Sequence, residues 1–371
     1  MTSQRNASVT TQVVVIGAGQ AGLAAGYHLK ERGLDFTVLE ASPRVGDVWR
    51  QRYDSLLLYS PAQDDALPGM PFPEIGTRFP TGRQMADYLE SYAERHHLPV
   101  RAGVRAMALR RNPSGTYTVE TDGVGYEADQ VIVATGAFQR PYVPPFAADL
   151  DPSIRQLHAN EYRSPDQLPD GPVLVVGVGH SGSDLAFELA ATRTTYLSGQ
   201  SHGQLPVPLD SRRARVTWPL LRFLARNVLT LRTPIGRKMA PLVRKGGLPL
   251  LRHRRQDLLA AGVIWSQART VGVRDGRPLL DDGQVLDVAS VVWCTGFRPD
   301  YGWIHLPVFD AEGWPMMDRG AALATPGLYF LGVPFLSGFT SMLVLGAGRD
   351  AEMVVRQVAA RAGGSRLPSA A

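Results

Sequence analysis

Residues 11–40 constrain the fold more than any other stretch, and they read TQVVVIGAGQAGLAAGYHLKERGLDFTVLE. Residues 13–16 form a short apolar run, which is typical of a parallel strand buried on both faces. Three glycines follow with the spacing G-x-G-x-x-G, at Gly17, Gly19 and Gly22. The first suits a tight turn, the second permits close approach of a phosphate, and the third lets a helix pack on the strand. The pattern therefore predicts a strand, a turn and a helix in this order.

The same stretch ends in an acidic residue, which completes a dinucleotide-binding pattern. Glu40 lies 23 positions after Gly17, at the usual distance for a carboxylate that binds ribose hydroxyls. Gly33 suits the C-terminal cap of the intervening helix. The start of that helix, at Gln20 and Ala21, would offer free N–H groups and partial positive charge to a pyrophosphate. We count Gln20, Ala21, Glu40 and Ala41, the residue after Glu40, as candidate cofactor contacts.

A second copy of the pattern occurs in PVLVVGVGHSGSDLAFELA, which spans residues 172–190. Here Gly177, Gly179 and Gly182 follow another buried strand. Two such units in one chain indicate two dinucleotide sites, and hence electron transfer between two cofactors. The candidate contacts at this site also include the helix-start residues His180, Ser181 and Ser183.

The second site differs from the first where the ribose would be bound. Its second strand ends near Ser198 without the Asp or Glu that would bind NAD hydroxyls and repel a 2′-phosphate. This favours NADPH, with NADH as the open alternative. Arg212, Arg213 or Arg215 from the following segment would reach a 2′-phosphate, or else these arginines are simply solvated.

Two short motifs of small residues end later strands, Ala134-Thr135-Gly136 and Cys294-Thr295-Gly296. Small residues at the carboxyl edge of a parallel sheet leave room for a cofactor. Cys294 is expected to be a small buried side chain and not a nucleophile, because no activating partner is evident. It is the single cysteine, so an internal disulfide and a redox-active C-x-x-C are excluded.

These patterns predict an α/β protein with two Rossmann-like dinucleotide-binding domains, the second inserted into the first. The first domain comprises residues 1–150 and 297–371, and the second residues 165–296. A proline-rich segment, 137–172, is interpreted as a linker. Residues 211–256 form an Arg-rich helical insertion in the second domain. It would be a lid over the active site, a membrane-surface patch or a solvated face, and the solvated face is favoured.

The chain of 371 residues carries a net charge of +5 without a nucleic-acid recognition motif, so no nucleic-acid partner is expected. Residues 1–10 lack the apolar core of a signal peptide. No stretch reaches the roughly 18 apolar residues of a membrane span. The cytoplasm is the expected location. His96 and His97 have no partner at ligand spacing, so no metal site is expected.

The run YDSLLLYSPAQDDALPGMPFP followed by FPTGRQMADYLESYA resembles the class B flavin-containing monooxygenases, and most of all the YUCCA-type and related bacterial branch. The resemblance covers almost the whole chain. It implies FAD at Gly17, Gly19, Gly22 and Glu40, with Trp49 beside it. Val48 and Val104 join the FAD candidates. It implies NADPH at Gly177, Gly179, Ser181 and Gly182.

The sequence departs from the family at several positions. The fingerprint F-x-G-x-x-x-H-x-x-x-Y keeps only its second half, at His158 and Tyr162. The final Tyr, where a Trp would stand, argues against a Baeyer–Villiger subtype. Tyr59 stands where animal-type members carry an Asn that supports the oxygenated flavin. We count Tyr59 as the candidate catalytic residue, whose phenol would form a hydrogen bond or line the substrate pocket. His180 replaces a common Asn, and Ser198 replaces the Arg that reads the 2′-phosphate.

The resemblance implies a monooxygenase in which NADPH reduces FAD and a flavin C4a-hydroperoxide transfers one oxygen atom from molecular oxygen to a small organic substrate. The loop 53–80 and the Arg-rich insertion would shape a pocket for an anionic or amphipathic molecule. A flavin reductase or oxidase without stable oxygen transfer is one alternative. A non-catalytic redox sensor is another, although two dinucleotide sites argue against it. A homo-oligomer is compatible with all three.

Overall fold

The computed structural model describes residues 8–75, 78–205, 209, 211–244 and 249–364. Both ends of the predicted first domain and residues 245–248 of the predicted insertion therefore lie outside the described residues, as do residues 1–7 of the segment assessed for a signal peptide.

The strands, in chain order, are β1 (Ser8–Ile16), β2 (Phe36–Glu40), β3 (Val100–Ala102), β4 (Ala106–Arg111), β5 (Tyr117–Thr121), β6 (Gly125–Val133), β7 (Arg140–Pro141), β8 (Arg155–His158), β9 (Val173–Val176), β10 (Thr195–Ser198), β11 (Ile264–Ser266), β12 (Thr270–Arg274), β13 (Arg277–Leu280), β14 (Ser290–Trp293), β15 (Phe297–Arg298), β16 (Met317–Asp318), β17 (Ala321–Ala322) and β18 (Leu328–Phe330). The α-helices are α1 (Gln20–Glu31), α2 (Asp47–Arg50), α3 (Gly82–Arg95), α4 (His180–Ala190), α5 (Arg212–Phe223), α6 (Pro234–Arg244), α7 (Arg255–Ala260) and α8 (Val344–Gly364).

The first sheet has the order β16-β17-β18-β6-β1-β2-β3. Its central strands β18, β6, β1, β2 and β3 run parallel. Residues 13–15 and 131–132 are completely buried there, as expected for strands covered on both faces. β4 and β5 form an antiparallel meander that joins β6.

The second sheet is entirely parallel, with the order β11-β10-β9-β14-β8. Its edge strand β8 lies in the proline-rich segment that the sequence analysis interpreted as a linker, so that interpretation is wrong for residues 155–158. The strand has only four residues, exposed at its start and buried at its end, so it carries no alternating pattern that could be read among the surrounding prolines. β8 forms because β14 offers it a parallel edge, with Leu157 beside Val292.

We call the part of the chain built on the first sheet the first lobe and the part built on the second sheet the second lobe. The chain crosses between the two lobes twice, and the crossing segments pair with each other. β7 on the way out and β15 on the way back form an antiparallel ribbon, with Phe297 opposite Pro141. The first sheet is built from residues before β7 and after β15, and the second from residues between them. The predicted α/β fold, with one Rossmann-like unit inserted into the other, is confirmed.

The helices of the first lobe follow their sequence signals. α1 ends at Glu31, and Gly33 adopts a left-handed conformation with φ +64°, as its predicted capping role requires. Thr81 caps α3 by accepting a hydrogen bond from the Gln84 backbone, while the Gln84 side chain returns one to the Thr81 backbone. The long final helix α8 packs on α1 and brings the C-terminal part of the chain back to the first sheet.

The Arg-rich insertion is helical as expected, with α5, a π-turn at Leu224–Val228 and α6. It is not a purely solvated face, because two of its arginines bind the loop 53–80. Arg222 forms an ion pair of 2.7 Å with the buried Asp64. Arg252 donates hydrogen bonds of 3.2 and 2.9 Å to the carbonyls of Leu57 and Leu58. No helix within the described ranges is long and apolar enough to span a membrane.

Candidate functional site

The first glycine turn is a close-packed junction between β1, β6 and α1. Gly17 has φ +107°, and a Cβ atom there would lie 2.6 Å from the carbonyl oxygen of Ala134. A Cβ at Gly22 would lie 1.8 Å from the carbonyl oxygen of Gly17. Both positions therefore exclude any larger residue. Gly19 is different, since no described atom lies within 4 Å of its ideal Cβ position. Gly19 and the N-terminus of α1 thus face open space.

Glu40 is fixed at the end of β2 by two backbone N–H groups. Its Oε2 accepts from Ala18 N at 2.8 Å, and its Oε1 accepts from Ser42 N at 2.8 Å. The Glu40 backbone carbonyl accepts from Val104 N, also at 2.8 Å. These bonds bring Glu40 to the glycine turn and hold Val104 beside it, while Ala41 lies exposed at the same strand end. A carboxylate in this position can accept the two hydroxyls of a ribose.

The second glycine turn repeats the packing of the first. Gly177 has φ +106°, and its Cβ would lie 2.5 Å from the carbonyl oxygen of Cys294. A Cβ at Gly182 would lie 1.8 Å from the carbonyl oxygen of Gly177. Gly179 again has open space where its Cβ would be, as far as the described residues show. Cys294 thus occupies the position that Ala134 has in the first lobe, and burial raises the pKa of its thiol to about 12. It serves as a small packing residue.

The chain just after β6 and just after β14 also has open space beside it, as at Gly19 and Gly179. A Cβ at Gly136, with φ +76°, or at Gly296, with φ +79°, would meet no described atom within 4 Å. Thr135 accepts a hydrogen bond of 2.7 Å from Gln139, and Thr295 donates to the carbonyl of Tyr142. The structure therefore places a glycine turn, a helix N-terminus and an open strand end together at each sheet. This arrangement fits a dinucleotide at both sheets.

Trp49 connects the two lobes on α2. Its ring packs against the cores of both lobes. Its indole Nε1 is buried, and no acceptor for it occurs among the residues that the structure describes. A buried donor of this kind is suited to a bound group that supplies an acceptor. Val48, the preceding residue, is 46% exposed and belongs to neither of these two cores.

Tyr59 does not face open space, because its phenol is engaged by the second lobe. The hydroxyl donates a hydrogen bond of 2.7 Å to Oδ2 of Asp184, a residue of α4. Tyr53 donates to the same oxygen at 3.3 Å. Burial, together with Tyr53 and Asp184, raises the pKa of Tyr59 well above its ordinary value, so this phenol stays protonated.

Two basic side chains complete the cluster around Asp184. The Arg252 guanidinium lies 3.6 Å from Asp184 Oδ2 and 5.1 Å from the centre of the Tyr59 ring. His253 Nε2 lies 3.7 Å from Asp184 Oδ1. Sequence reasoning missed Asp184 and Arg252. The one available signal was an acid at position 5 of a helix whose buried residues otherwise carry no charge.

Three predicted cofactor contacts at the start of α4 already have partners within the protein. His180 packs against Tyr59, with 4.7 Å between ring centres, and its Nε2 donates a 3.0 Å hydrogen bond to the carbonyl of Pro249. Burial lowers the pKa of His180 to about 4, so the ring is neutral near pH 7. Ser183 is buried and donates to the carbonyl of His180, so its hydroxyl points into the helix. Ser181 lies beside the Tyr53 phenol.

Ser198 is not presented to the second site by its side chain. It is 1% exposed, its hydroxyl shares a 2.7 Å hydrogen bond with that of Thr270, and it accepts from Thr270 N. The Ser198 hydroxyl is therefore engaged within the second lobe, and the assignment of Ser198 as a cofactor contact stays a prediction. Gly199 follows against the glycine turn, with its Cβ position 3.4 Å from Val178. Beyond it a cavity of about 330 Å³ is lined by Gln200, Ser201, Gly203, Gln204, Arg255, Trp265 and Gln267.

Of the two half-fingerprint residues, His158 contacts the segment that crosses between the lobes, and Tyr162 packs inside the second lobe. His158 Nε2 donates to the carbonyl of Gly296 at 3.1 Å, and its Nδ1 accepts from Asn160 N. Tyr162 is fully buried and donates to Glu188 of α4 at 3.0 Å. Both side chains thus form hydrogen bonds within the protein. Among the described residues, no group of three or more potential metal ligands occurs.

Comparison with known proteins agrees with this geometry. A family model described as pyridine nucleotide-disulphide oxidoreductase matches residues 14–202. An uncharacterized CzcO-like oxidoreductase from Geobacillus kaustophilus is 38% identical over 93% of this chain and 97% of that protein. A probable indole-3-pyruvate monooxygenase, YUCCA9 of Arabidopsis thaliana, is 29% identical, with 96% and 90% covered. The structure of a flavin-containing monooxygenase from Stenotrophomonas maltophilia is 27% identical, with a TM-score of 0.74 and coverage of 95% and 99%.

The matched family model covers both glycine turns, and the relatives extend over nearly the whole chain. The predicted enzyme class and the predicted flavin and pyridine-nucleotide cofactors are confirmed. The chain belongs to the pyridine nucleotide-disulphide oxidoreductases and, within them, to the class B flavin-containing monooxygenases.

Proposed function

We propose that this protein is an NADPH-driven monooxygenase that transfers one oxygen atom from molecular oxygen to a small organic substrate. The observation that carries the proposal is the pair of equivalent glycine turns, each facing open space at Gly19 and Gly179. FAD, when bound, supplies hydride acceptance and oxygen transfer through its C4a-hydroperoxide. The protein contributes binding, orientation and exclusion of water. The cytoplasmic location and a homo-oligomeric state stay predictions.

We assign FAD to the first lobe, residues 1–150 with 297–371, and NADPH to the second, residues 165–296. Glu40 would accept the ribose hydroxyls of FAD, and the start of α1 would bind its pyrophosphate. The buried Trp49 Nε1, for which the described part of the chain offers no acceptor, would donate to the flavin. In the second lobe, the start of α4 would bind the NADPH pyrophosphate beside His180.

Tyr59 acts as a positioning residue in this proposal. Its proton is committed to Asp184 and its pKa is raised, which does not suit proton transfer to a substrate. Because Asp184 lies on α4, Tyr59 would instead hold the NADPH-binding helix against the flavin lobe. A hydrogen bond to the oxygenated flavin would then have to come from a group other than the Tyr59 phenol.

Arg255 is the best placed residue to read a 2′-phosphate. It lines the cavity beyond Gly199, where the ribose end of the nucleotide would lie, and its guanidinium is 4.7 Å from the centre of the Trp265 ring. Arg255 is exposed and forms no ion pair within the part of the chain that the structure describes. Arg212, Arg213 and Arg215 do not line this cavity.

Stopped-flow absorbance tests the monooxygenase. Protein reduced anaerobically with NADPH is mixed with oxygenated buffer while the flavin spectrum is followed. We expect a transient species, blue-shifted from oxidised flavin, which lasts longer with NADP⁺ bound. Direct return to oxidised flavin with equal release of peroxide would instead establish an oxidase. A flavin that NADPH fails to reduce would support the redox sensor.

Nucleotide binding tests the role of Arg255 separately. Titration calorimetry gives the Kd values of NADP⁺ and NAD⁺ for the wild type, for Arg255→Gln and for the matched control Arg213→Gln. We expect Arg255→Gln to weaken NADP⁺ binding about tenfold or more, as for loss of one charge-assisted phosphate contact, and to leave NAD⁺ unchanged. The same loss in Arg213→Gln alone would move the assignment to α5.

A further inference from the structure

The Arg-rich insertion has an extreme charge for its length. Residues 211–256 contain 13 Arg and Lys and no Asp or Glu, in a chain whose net charge is +5. Ion pairing within this segment is therefore impossible, and its exposed basic residues depend on groups outside it. Arg212, Arg213 and Arg215 are exposed on the first turn of α5. Such a surface attracts polyanionic partners.

α5 presents two opposite faces. Its inward face is formed by Ala214, Trp218 and Arg222, which recur every four residues, and the last two bind Asp64. The outward stripe consists of Val216, Leu220 and Phe223, which are 81%, 60% and 58% exposed. At 100° per residue, these three lie roughly opposite the inward face. The packing of the residues that the structure describes does not explain an apolar stripe of this extent on the outside of a basic helix.

α6 repeats the arrangement. Its residues Ala240 and Val243 are buried in a small cluster with Phe335. On the other side Ile235 and Leu242 are 56% and 59% exposed, and they lie seven residues apart on one face. Lys238 lies between them and is also exposed. Both helices thus combine outward apolar side chains with cations.

We propose that the outward face of α5 and α6 docks the protein on an anionic lipid bilayer. Helices of 12 and 11 residues are too short to span a bilayer, which takes about 20, but they suit the interfacial region. Apolar side chains enter the acyl boundary and Arg and Lys bind lipid phosphates. A second copy of this chain fits less well, because a two-fold contact would set this cationic face against itself. The docking is independent of the oxidoreductase chemistry.

Vesicle flotation of the flavin-loaded protein tests the proposal. The vesicles contain either phosphatidylcholine alone or an equal mixture with phosphatidylglycerol. We expect binding to the anionic vesicles, and its loss at about 1 M salt, where the screening length is only about 3 Å. The stripe variant carries Val216→Ser, Leu220→Ser and Phe223→Ser, and we expect its partition coefficient to fall about tenfold or more.

A matched control separates the stripe from general exposure of apolar groups. It carries Met107→Ser, Val271→Ser and Leu323→Ser, side chains that are 53%, 50% and 68% exposed and lie outside the insertion. It should bind vesicles like the wild type, and both triple variants should keep the flavin spectrum. Absence of binding to anionic vesicles, or equal binding by the stripe variant, overturns the proposal. A stripe variant that changes only the oligomeric state would assign this face to self-association instead.

Discussion

The Asp184 cluster makes a prediction whose size follows from its geometry. Tyr59→Phe removes a 2.7 Å hydrogen bond to a carboxylate that is 8% exposed. It keeps the aromatic ring, so the contacts of that ring with His180 and Arg252 remain. A hydrogen bond to a charged group contributes about 1.5–3 kcal/mol. We therefore expect the free energy of unfolding to fall by about 2 kcal/mol.

A double-mutant cycle assigns this energy to the pair. Asp184→Asn alone should cost about 3 kcal/mol, because it removes the charge that Arg252 faces at 3.6 Å. If the hydroxyl acts through Asp184, the double variant should cost less than the sum of the single variants by about 1.5 kcal/mol. The measurement is urea unfolding of the flavin-loaded protein. Tyr142→Phe is the control, since within the described ranges its hydroxyl has no hydrogen-bond partner.

The same variants test the positioning role. Because Asp184 lies on α4, Tyr59→Phe should raise the Kd for NADP⁺ while the flavin content and spectrum stay unchanged. A cost below about 0.5 kcal/mol, or fully additive single costs, would refute the reasoning about the cluster. An unchanged Kd for NADP⁺ would leave Tyr59 a purely structural residue.

Four further predictions concern three glycines of the two turns and one buried acid. Gly19→Ala should fold, because the φ of Gly19 is −74° and the described atoms leave space for a Cβ. It should bind FAD about tenfold or more weakly, which the flavin content of the purified protein would show. Gly179→Ala should keep FAD and lose affinity for NADP⁺, which nucleotide titration would show. Gly22→Ala should yield no soluble flavoprotein on expression, since its Cβ would lie 1.8 Å from Gly17 O. Burial raises the pKa of Asp65 to about 8, so the folded state holds a proton that the unfolded state releases near pH 4. Stability should therefore fall by about 3 kcal/mol between pH 5 and pH 8, and urea unfolding of Asp65→Asn should show a flatter dependence.

The parts of the fold that the sequence predicts are those set by local patterns. Glycine spacing and buried runs specify both strand-turn-helix units, because only glycine fits where Gly17 and Gly22 meet neighbouring carbonyls. β8 was missed because its stability comes from pairing with β14, more than 130 residues later. A four-residue strand among prolines carries too little pattern of its own.

The site shows the same division between local and distant causes. Glu40 and both helix starts were predictable, since each belongs to a contiguous motif. Asp184 was not, because a single acid in a helix usually indicates a solvent-facing position. Its burial depends on Tyr53 and Tyr59, which lie 131 and 125 residues away in the chain. Similarly, Arg252 reads as one more charge in a basic run until the carbonyls of the loop 53–80 are seen beside it.

Apart from the pairing of β8 with β14, the contacts that sequence reasoning missed lie at the junction of the two lobes. β7 and β15 pair there, His158 binds the carbonyl of Gly296, and Asp184 receives two phenols from the other lobe. Hydride transfer between two cofactors requires their reacting atoms to be about 3–3.5 Å apart, so the angle between the lobes matters as much as either binding site. A phenol at position 59 is then a reasonable replacement for an amide that would contact the flavin. It adds a buried hydrogen bond between the lobes, at the start of the helix that would hold the reductant.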